Sequence, residues 1–145
     1  MLKKYNNQKG FTLLELMIII SLLIIVFIIT IPRFTMDRFI LKAQARELCS
    51  DIRMIRLLKM TEGKYYQIQL NKDHYKILIG IKKIKRVNFH KNIETFCNNK
   101  YISFSCQGAP TGSETADTIK IYHRKTNEFY EITIVPASGR VLLKE

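Results

Sequence analysis

Residues 11–31 form an unbroken apolar run of 21 residues in which Glu15 is the only charged side chain. As a helix with a rise of about 1.5 Å per residue, the run is roughly 31 Å long, which matches the hydrocarbon core of one bilayer. Ten residues precede it, and they carry Lys3, Lys4 and Lys9 but no acid. Because basic residues beside an apolar segment stay in the cytoplasm, we expect the N-terminus inside and the remainder of the chain outside.

The apolar run is too long for an ordinary cleaved secretory signal, whose apolar region has about 7–15 residues and a small-residue cleavage site. An uncleaved signal anchor is the simplest alternative. Glu15 requires a further explanation, since a carboxylate in hydrocarbon costs roughly 2.5–3.5 kcal/mol and the run contains no Lys or Arg. Cleavage between Gly10 and Phe11 would create an α-ammonium one helical turn before Glu15. That group, on the same chain or a neighbouring one, would neutralise the carboxylate.

The junction between the basic leader and the apolar run reads Lys9-Gly10-Phe11-Thr12-Leu13-Leu14-Glu15-Leu16. It resembles the prepilin cleavage motif of type IV pilins and pseudopilins. The resemblance implies that a prepilin peptidase removes residues 1–10 and that the new N-terminal Phe11 is N-methylated. It also implies that membrane lipid holds the subunit before assembly. At an inner-membrane assembly platform, Glu15 would then guide the subunit into a filament with other pilins or pseudopilins. Pro32 lies where pilin helices often bend.

Beyond the apolar run the pattern becomes amphipathic. Apolar residues at spacings of 7, 4, 3, 4 and 3 form one helical stripe, namely Phe34, Leu41, Ala45, Leu48, Ile52 and Ile55. With Gly63 as a C-terminal stop, the sequence predicts a helix over residues 11–62 that bends at Pro32. Residues 11–32 are its transmembrane or filament-core half and residues 33–62 its amphipathic half. The stripe is interpreted as a core face, and a coiled-coil seam is the alternative.

From residue 63 onward the apolar period changes to two, which is typical of strands with one buried face. The alternation predicts strands near residues 66–70, 75–81, 102–106, 119–121, 130–134 and 140–143. The predicted fold class is therefore α+β: a long N-terminal helix packed on a mostly antiparallel β-sheet head of residues 63–145. About 80 residues bury only a thin core by themselves, so we expect the helix stripe to complete it.

The order of elements in the head carries a second resemblance. Phe104 precedes the glycine-bounded segment 108–112, a strand follows, and Ile134 leads to the ending Gly139-Arg140-Val141. This order is similar to minor pseudopilins of the GspH/FimT type, a set that includes competence pseudopilins. It implies a minor structural subunit of a type IV pilus, competence or type II secretion-like filament. Without the resemblance, the ending is simply a turn into an edge strand.

The sequence contains no motif that indicates catalysis. His74, His90 and His123 lie in separate polar stretches, away from any His or Cys at metal-ligand spacing. Glu114 and Asp117 lie near a glycine-rich loop, where two acids are most simply solvated. We therefore expect a protein that is not an enzyme and that has no metal or cofactor.

The cysteines leave two interpretations open. Cys97 and Cys106 bracket residues 98–105, and a disulfide closing that loop would stabilise the head by roughly 2–3 kcal/mol. Two reduced cysteines are equally acceptable, because the redox state of the compartment is unknown. Cys49 lies beside the helix stripe and is interpreted as a small buried residue.

The formal net charge of +12 is concentrated in one part of the chain. Residues 33–100 contain 16 Lys and Arg against 6 acids, whereas residues 101–145 contain 5 against 5. The densest basic segment includes Lys82, Lys83, Lys85 and Arg86. One interpretation is a solvated strand edge that lysines protect from aggregation, and a related one is attraction to anionic wall polymer or lipid headgroups. The other is a contact with DNA in a receptor for DNA uptake.

Overall fold

The computed structural model describes residues 11–30, 36–111 and 117–144, and the chain divides into two compact units, Met1–Phe34 and Thr35–Glu145. The first unit contains helix α1 (Leu13–Thr30), and the second begins with helix α2 (Met36–Glu62). The strands that follow are β1 (Tyr66–Leu70), β2 (His74–Ile79), β3 (Lys82–Asn88), β4 (Ile93–Phe96), β5 (Tyr101–Phe104), β6 (Pro110–Thr111), β7 (Asp117–His123), β8 (Phe129–Ile134) and β9 (Val141–Lys144).

The strands of the second unit form two antiparallel sheets. Their orders are β3-β2-β1-β5-β6 in the five-stranded sheet and β4-β7-β8-β9 in the four-stranded sheet. Helices followed by antiparallel sheets confirm the predicted α+β class. The division into two sheets and the strands β3, β4 and β6 were not predicted. Polar residues dominate β3, and β4 and β6 are only four and two residues long, so they lack a clear apolar alternation.

Helix α2 buries the predicted apolar stripe. Its stripe residues are all 0% exposed, namely Leu41, Ala45, Leu48, Ile52 and Ile55. Burying a leucine or isoleucine side chain stabilises a fold by roughly 1.5–3 kcal/mol, so this stripe is a principal source of stability for the unit. One continuous helix was predicted across residues 31–35, with a bend at Pro32 and with Phe34 in the stripe. These residues lie outside the described part of the chain.

The helix also ends as predicted. Gly63 adopts a φ of 70°, and its N–H donates a hydrogen bond to the carbonyl oxygen of Lys59 at 3.1 Å. This left-handed conformation after the last helical residue is the usual glycine stop. A second predicted turn, at residues 126–127, contains Asn127 with a φ of 56°.

The core lies between α2 and the inner faces of both sheets. Alternate residues of paired strands meet there, as Ile68 of β1 does opposite Ile77 of β2 and Ile102 of β5. In the four-stranded sheet, Ile119 pairs with Ile132 in the same way. All members of the described core cluster lie between residues 40 and 143, so the Thr35–Glu145 unit contains a complete core of its own.

Candidate functional site

The first candidate site is the surface of α1. Its apolar side chains from residue 13 to residue 28 are all at least 41% exposed. Within residues 11–30, 36–111 and 117–144, no helix combines the length and the hydropathy that a membrane span requires. Monomeric soluble proteins rarely expose contiguous apolar area on this scale, and such a surface marks a contact with protein or lipid.

Thr12 caps the start of α1 and places Glu15 in its first turn. Thr12 Oγ1 accepts a hydrogen bond from the backbone N–H of Glu15 at 3.3 Å, and the Thr12 carbonyl accepts one from the N–H of Leu16 at 3.1 Å. The Thr-x-x-Glu spacing is that of a capping box, with Thr12 as the N-cap and Glu15 as the third helical residue. A carboxylate there also interacts favourably with the helix dipole. The first turn of α1 is therefore a position that suits a carboxylate, apart from the filament role that the resemblance implies.

The second candidate site is a pair of loops held by two arginines of α2. Arg56 donates from Nε to the carbonyl oxygen of Gly108 at 2.9 Å and from Nη2 to that of Ser138 at 2.8 Å. Three residues earlier on the helix, Arg53 donates from Nη2 to the carbonyl oxygen of Val141 at 2.9 Å. The arginines thus connect the helix to the β5–β6 loop, the β8–β9 turn and the start of β9.

Gly139 lies where the two loops touch. Its φ is 60°, and a Cβ at this position would be 1.9 Å from the carbonyl oxygen of Gly108 and 3.0 Å from Arg56 Nε. Only glycine fits such a close approach of two backbones. The contact therefore joins Gly108 to Gly139. These glycines belong to the segment 108–112 and to the ending Gly139-Arg140-Val141, which together carry the second resemblance.

The third candidate site is β3, an edge strand of the five-stranded sheet. Lys82, Lys83 and Arg86 are exposed along it. The register with β2 shifts between Ile77, which pairs with Lys85, and Leu78, which pairs with Lys83. The residue between these two lysines is therefore the extra residue of a β-bulge. Because partners across a ladder share a face, the bulge places Lys85 on the buried face and Lys83 on the outward face.

Lys85 is consequently ion-paired with α2 instead of lying on the outward face with Lys83 and Arg86. Its Nζ lies 2.7 Å from Asp51 Oδ2 and 3.2 Å from Glu47 Oε1, and the hydrogen bond to Asp51 is the main cause that raises the pKa of Lys85. The buried Asp51 also accepts a hydrogen bond from Tyr75 Oη at 2.5 Å. Burial, followed by this hydrogen bond, raises the pKa of Tyr75, so its hydroxyl remains a donor.

The three cysteines are free thiols in the structure, so the disulfide considered between Cys97 and Cys106 is not formed. Cys97 follows β4 in the four-stranded sheet, and Cys106 follows β5 in the other sheet. Cys49 is buried, as predicted, and burial raises the pKa of its thiol.

The described residues contain no candidate metal site. Among the described residues, no group of three or more His, Cys, Asp or Glu side chains is arranged to hold a metal ion. Glu114 lies outside the described residues, and Asp117 is buried at the start of β7. His123 is also buried, and its Nδ1 accepts a hydrogen bond from the backbone N–H of Thr126 at 3.2 Å.

Comparisons with known proteins found similarities to the N-terminal segment, to the whole chain and to the fold. Residues 5–31 match the prokaryotic N-terminal methylation motif. The chain is 29% identical over 143 residues to the competence protein ComGD of Bacillus subtilis. The aligned region covers 95% of this chain and 94% of that protein. Its fold is similar to that of the type IV minor pilin FimU of Pseudomonas aeruginosa (TM-score 0.63, 16% identity, 74% of this chain and 90% of that chain). It is also similar to the minor pseudopilin EpsH of the Vibrio cholerae type 2 secretion system (TM-score 0.60, 11% identity, 71% and 94%). In its N-terminal motif and its fold, the chain is therefore similar to type IV pilins and pseudopilins.

The residues predicted for processing and assembly are only partly described. Gly10 lies outside the described residues, whereas Phe11 lies two residues before α1 and Glu15 lies in its first turn. The sequence reasoning missed Arg53 and Arg56 as anchors. Each directly follows a stripe residue, which indicates a position beside the core, but their carbonyl partners lie 52 to 88 residues further along the chain.

Proposed function

We propose that this pilin-like chain is a minor subunit of a type IV pilus, competence or type II secretion-like filament and that it enters the filament through α1. The supporting observation is the exposed apolar surface that begins immediately after the Gly10-Phe11 junction. Before assembly, residues 11–32 lie in the cytoplasmic membrane with the N-terminus inside and the head outside. On assembly, the same surface packs against other pilins, and the head faces outward.

Processing by a prepilin peptidase after Gly10, followed by N-methylation of Phe11, creates the charge that Glu15 meets. The new ammonium lies next to the Thr12 cap, where the helix dipole is already positive. A cation at this end of a helix is unfavourable by typically 0.3–1 kcal/mol, and a carboxylate is favourable by a similar amount. Glu15 therefore offsets the ammonium of its own chain or that of a neighbour. The second arrangement joins two subunits.

The test is assembly in cells that supply the peptidase and the inner-membrane platform. Gly10→Ala should block removal of the leader. Glu15→Ala should be trimmed normally yet be absent from the sheared filament fraction. Ser21→Ala is the matched control, because it also removes a polar group from α1, a hydroxyl that donates a hydrogen bond to the Ile18 carbonyl oxygen of the same helix. Incorporation of Glu15→Ala at the level of the Ser21→Ala control would contradict the proposal.

A second proposal is that the chain contacts DNA as a receptor in DNA uptake. Three exposed cations on an edge strand, Lys82, Lys83 and Arg86, favour it, and so does the similarity to a competence protein. Phosphate contacts make binding fall steeply with salt. The protein should retain DNA at low salt, and charge reversal at these three positions should abolish retention. Absence of any DNA binding at low salt would refute this second role and leave filament assembly unaffected.

A further inference from the structure

A row of outward-facing side chains crosses four strands of the five-stranded sheet. Arg86 of β3 lies opposite Lys76 of β2, Lys76 lies opposite Gln69 of β1, and Gln69 lies opposite Tyr101 of β5. With neighbouring strands about 4.8 Å apart, the row is roughly 14 Å long. It has two cations at one end and an amide and an aromatic ring at the other. We infer that this face binds single-stranded DNA, an inference that rests on the DNA contact proposed above.

The cationic end of the row is arranged for phosphate. Lys76 and Arg86 are direct cross-strand partners, and like charges in that position repel. Lys83, opposite Leu78, adds a third cation to the same face. Among the ion pairs between described residues, none includes Lys76, Lys83 or Arg86. A phosphate backbone along β2 and β3 would offset the repulsion among these three cations.

Lys76 therefore replaces Lys85 in the set of contact residues. The basic segment of the sequence suggests four contacts within residues 82–86 of one strand, but the bulge turns Lys85 toward Asp51 on α2. Lys76 is ten residues away from Arg86 in the sequence and becomes its neighbour only through strand pairing.

The aromatic end favours nucleic acid over other phosphate polymers. Tyr101 is 52% exposed, and Gln69 Nε2 donates a hydrogen bond to its hydroxyl oxygen at 3.1 Å, which holds the ring in place. A fixed, exposed ring is a stacking platform for a base. Wall polymers and lipid headgroups supply phosphates but no bases. In a duplex the bases already stack on one another, so Tyr101 engages only unpaired bases.

The experiment measures binding of a fluorescent oligothymidine, and separately of a duplex of the same length, to the full chain in nonionic detergent at low salt. Lys76→Gln and Arg86→Gln should weaken both, and each should reduce the slope of log affinity against log salt for the single strand by about 0.7. Tyr101→Ala should weaken single-strand binding at least about fivefold and leave duplex binding within twofold. Lys125→Gln, an exposed cation in the β7–β8 turn, and Phe96→Ala, an exposed aromatic on the other sheet, are the matched controls.

The outcomes separate this inference from the broader DNA contact. Single-strand binding that is unchanged in Tyr101→Ala, or duplex binding as tight as single-strand binding, overturns the inference while the DNA contact survives. Binding of a poly(glycerol phosphate) polymer as tightly as oligothymidine, with no effect of Tyr101→Ala, overturns it in favour of a wall polymer. No binding to either DNA at low salt refutes the DNA contact itself. Circular dichroism of each variant confirms that the fold is retained.

Discussion

Replacing Gly139 by alanine should destabilise the head far more than the same change at Gly80. Both glycines are left-handed, with φ of 60° and 57°, so alanine costs roughly 1–2 kcal/mol of backbone strain at either position. At Gly80, a Cβ meets nothing within 4 Å, whereas at Gly139 it would overlap the carbonyl oxygen of Gly108. The comparison therefore separates strain from the packing of the two loops.

The extra cost at Gly139 follows from the bonds that must break. Moving the loops apart removes at least one of the two hydrogen bonds from Arg56, each worth about 1.5–3 kcal/mol because the donor is charged. We expect Gly139→Ala to lower the free energy of unfolding by about 3–5 kcal/mol and Gly80→Ala by about 1–2 kcal/mol.

Urea unfolding of residues 35–145, which contain the complete core, measures both values. Arg56→Met should reproduce much of the loss at Gly139, and the double variant should lose less than the sum of the two single changes, since both break the same bonds. Equal destabilisation by Gly139→Ala and Gly80→Ala would refute the loop contact described above.

Three further predictions concern the head. Asp51→Ala should lower the free energy of unfolding by about 2–3 kcal/mol, because it leaves the buried Tyr75 hydroxyl without its acceptor. Adding Tyr75→Phe should recover part of this loss in urea titrations. A decrease below about 0.5 kcal/mol in Asp51→Ala would contradict the prediction. Hydrogen bonds from Arg124 and then Tyr122 lower the pKa of Glu94, so the stability it contributes is present above about pH 4.5 and is lost as the pH falls through the lowered value. Glu94→Gln should therefore flatten the acid limb of stability against pH, and an unchanged limb would argue against the pair. In the native head, only the exposed thiol of Cys106 should react rapidly with a thiol reagent, and after unfolding all three cysteines should react. A disulfide between Cys97 and Cys106 would instead leave a single reactive thiol in the unfolded chain.

The parts of the fold that could be predicted are those with a strong local pattern. The stripe from Leu41 to Ile55 repeats at helical spacing, and the hairpin of β1 and β2 alternates with period two, so each pattern identifies its own buried face. The helix end at Gly63 could be predicted because a left-handed glycine stop depends only on residues close to it in the sequence.

The parts that could not be predicted depend on contacts between distant segments. No local pattern indicates that the strands divide into two sheets, or that Cys97 and Cys106 follow strands of different sheets. The bulge in β3 reverses the face of Lys85 relative to Lys83, which a run of basic residues does not reveal. The carbonyl partners of Arg56 lie in two loops that meet only in the folded chain.

The N-terminal features have a different basis. Gly10, Phe11 and Glu15 were identified by their fixed spacing, and the match of residues 5–31 to the prokaryotic N-terminal methylation motif supports that identification. The structure adds the Thr12 cap, whose hydroxyl accepts a hydrogen bond from the backbone N–H of Glu15 at the start of the apolar helix.

The most direct measurement is the intact mass of the polypeptide recovered from cells that contain a prepilin peptidase, together with sequencing of its first residues. The proposed function requires a chain shortened by residues 1–10 that starts at Phe11 and carries one additional methyl group on its amine. A chain that starts at Met1 with its full mass, under conditions in which a known pilin is trimmed, would contradict it.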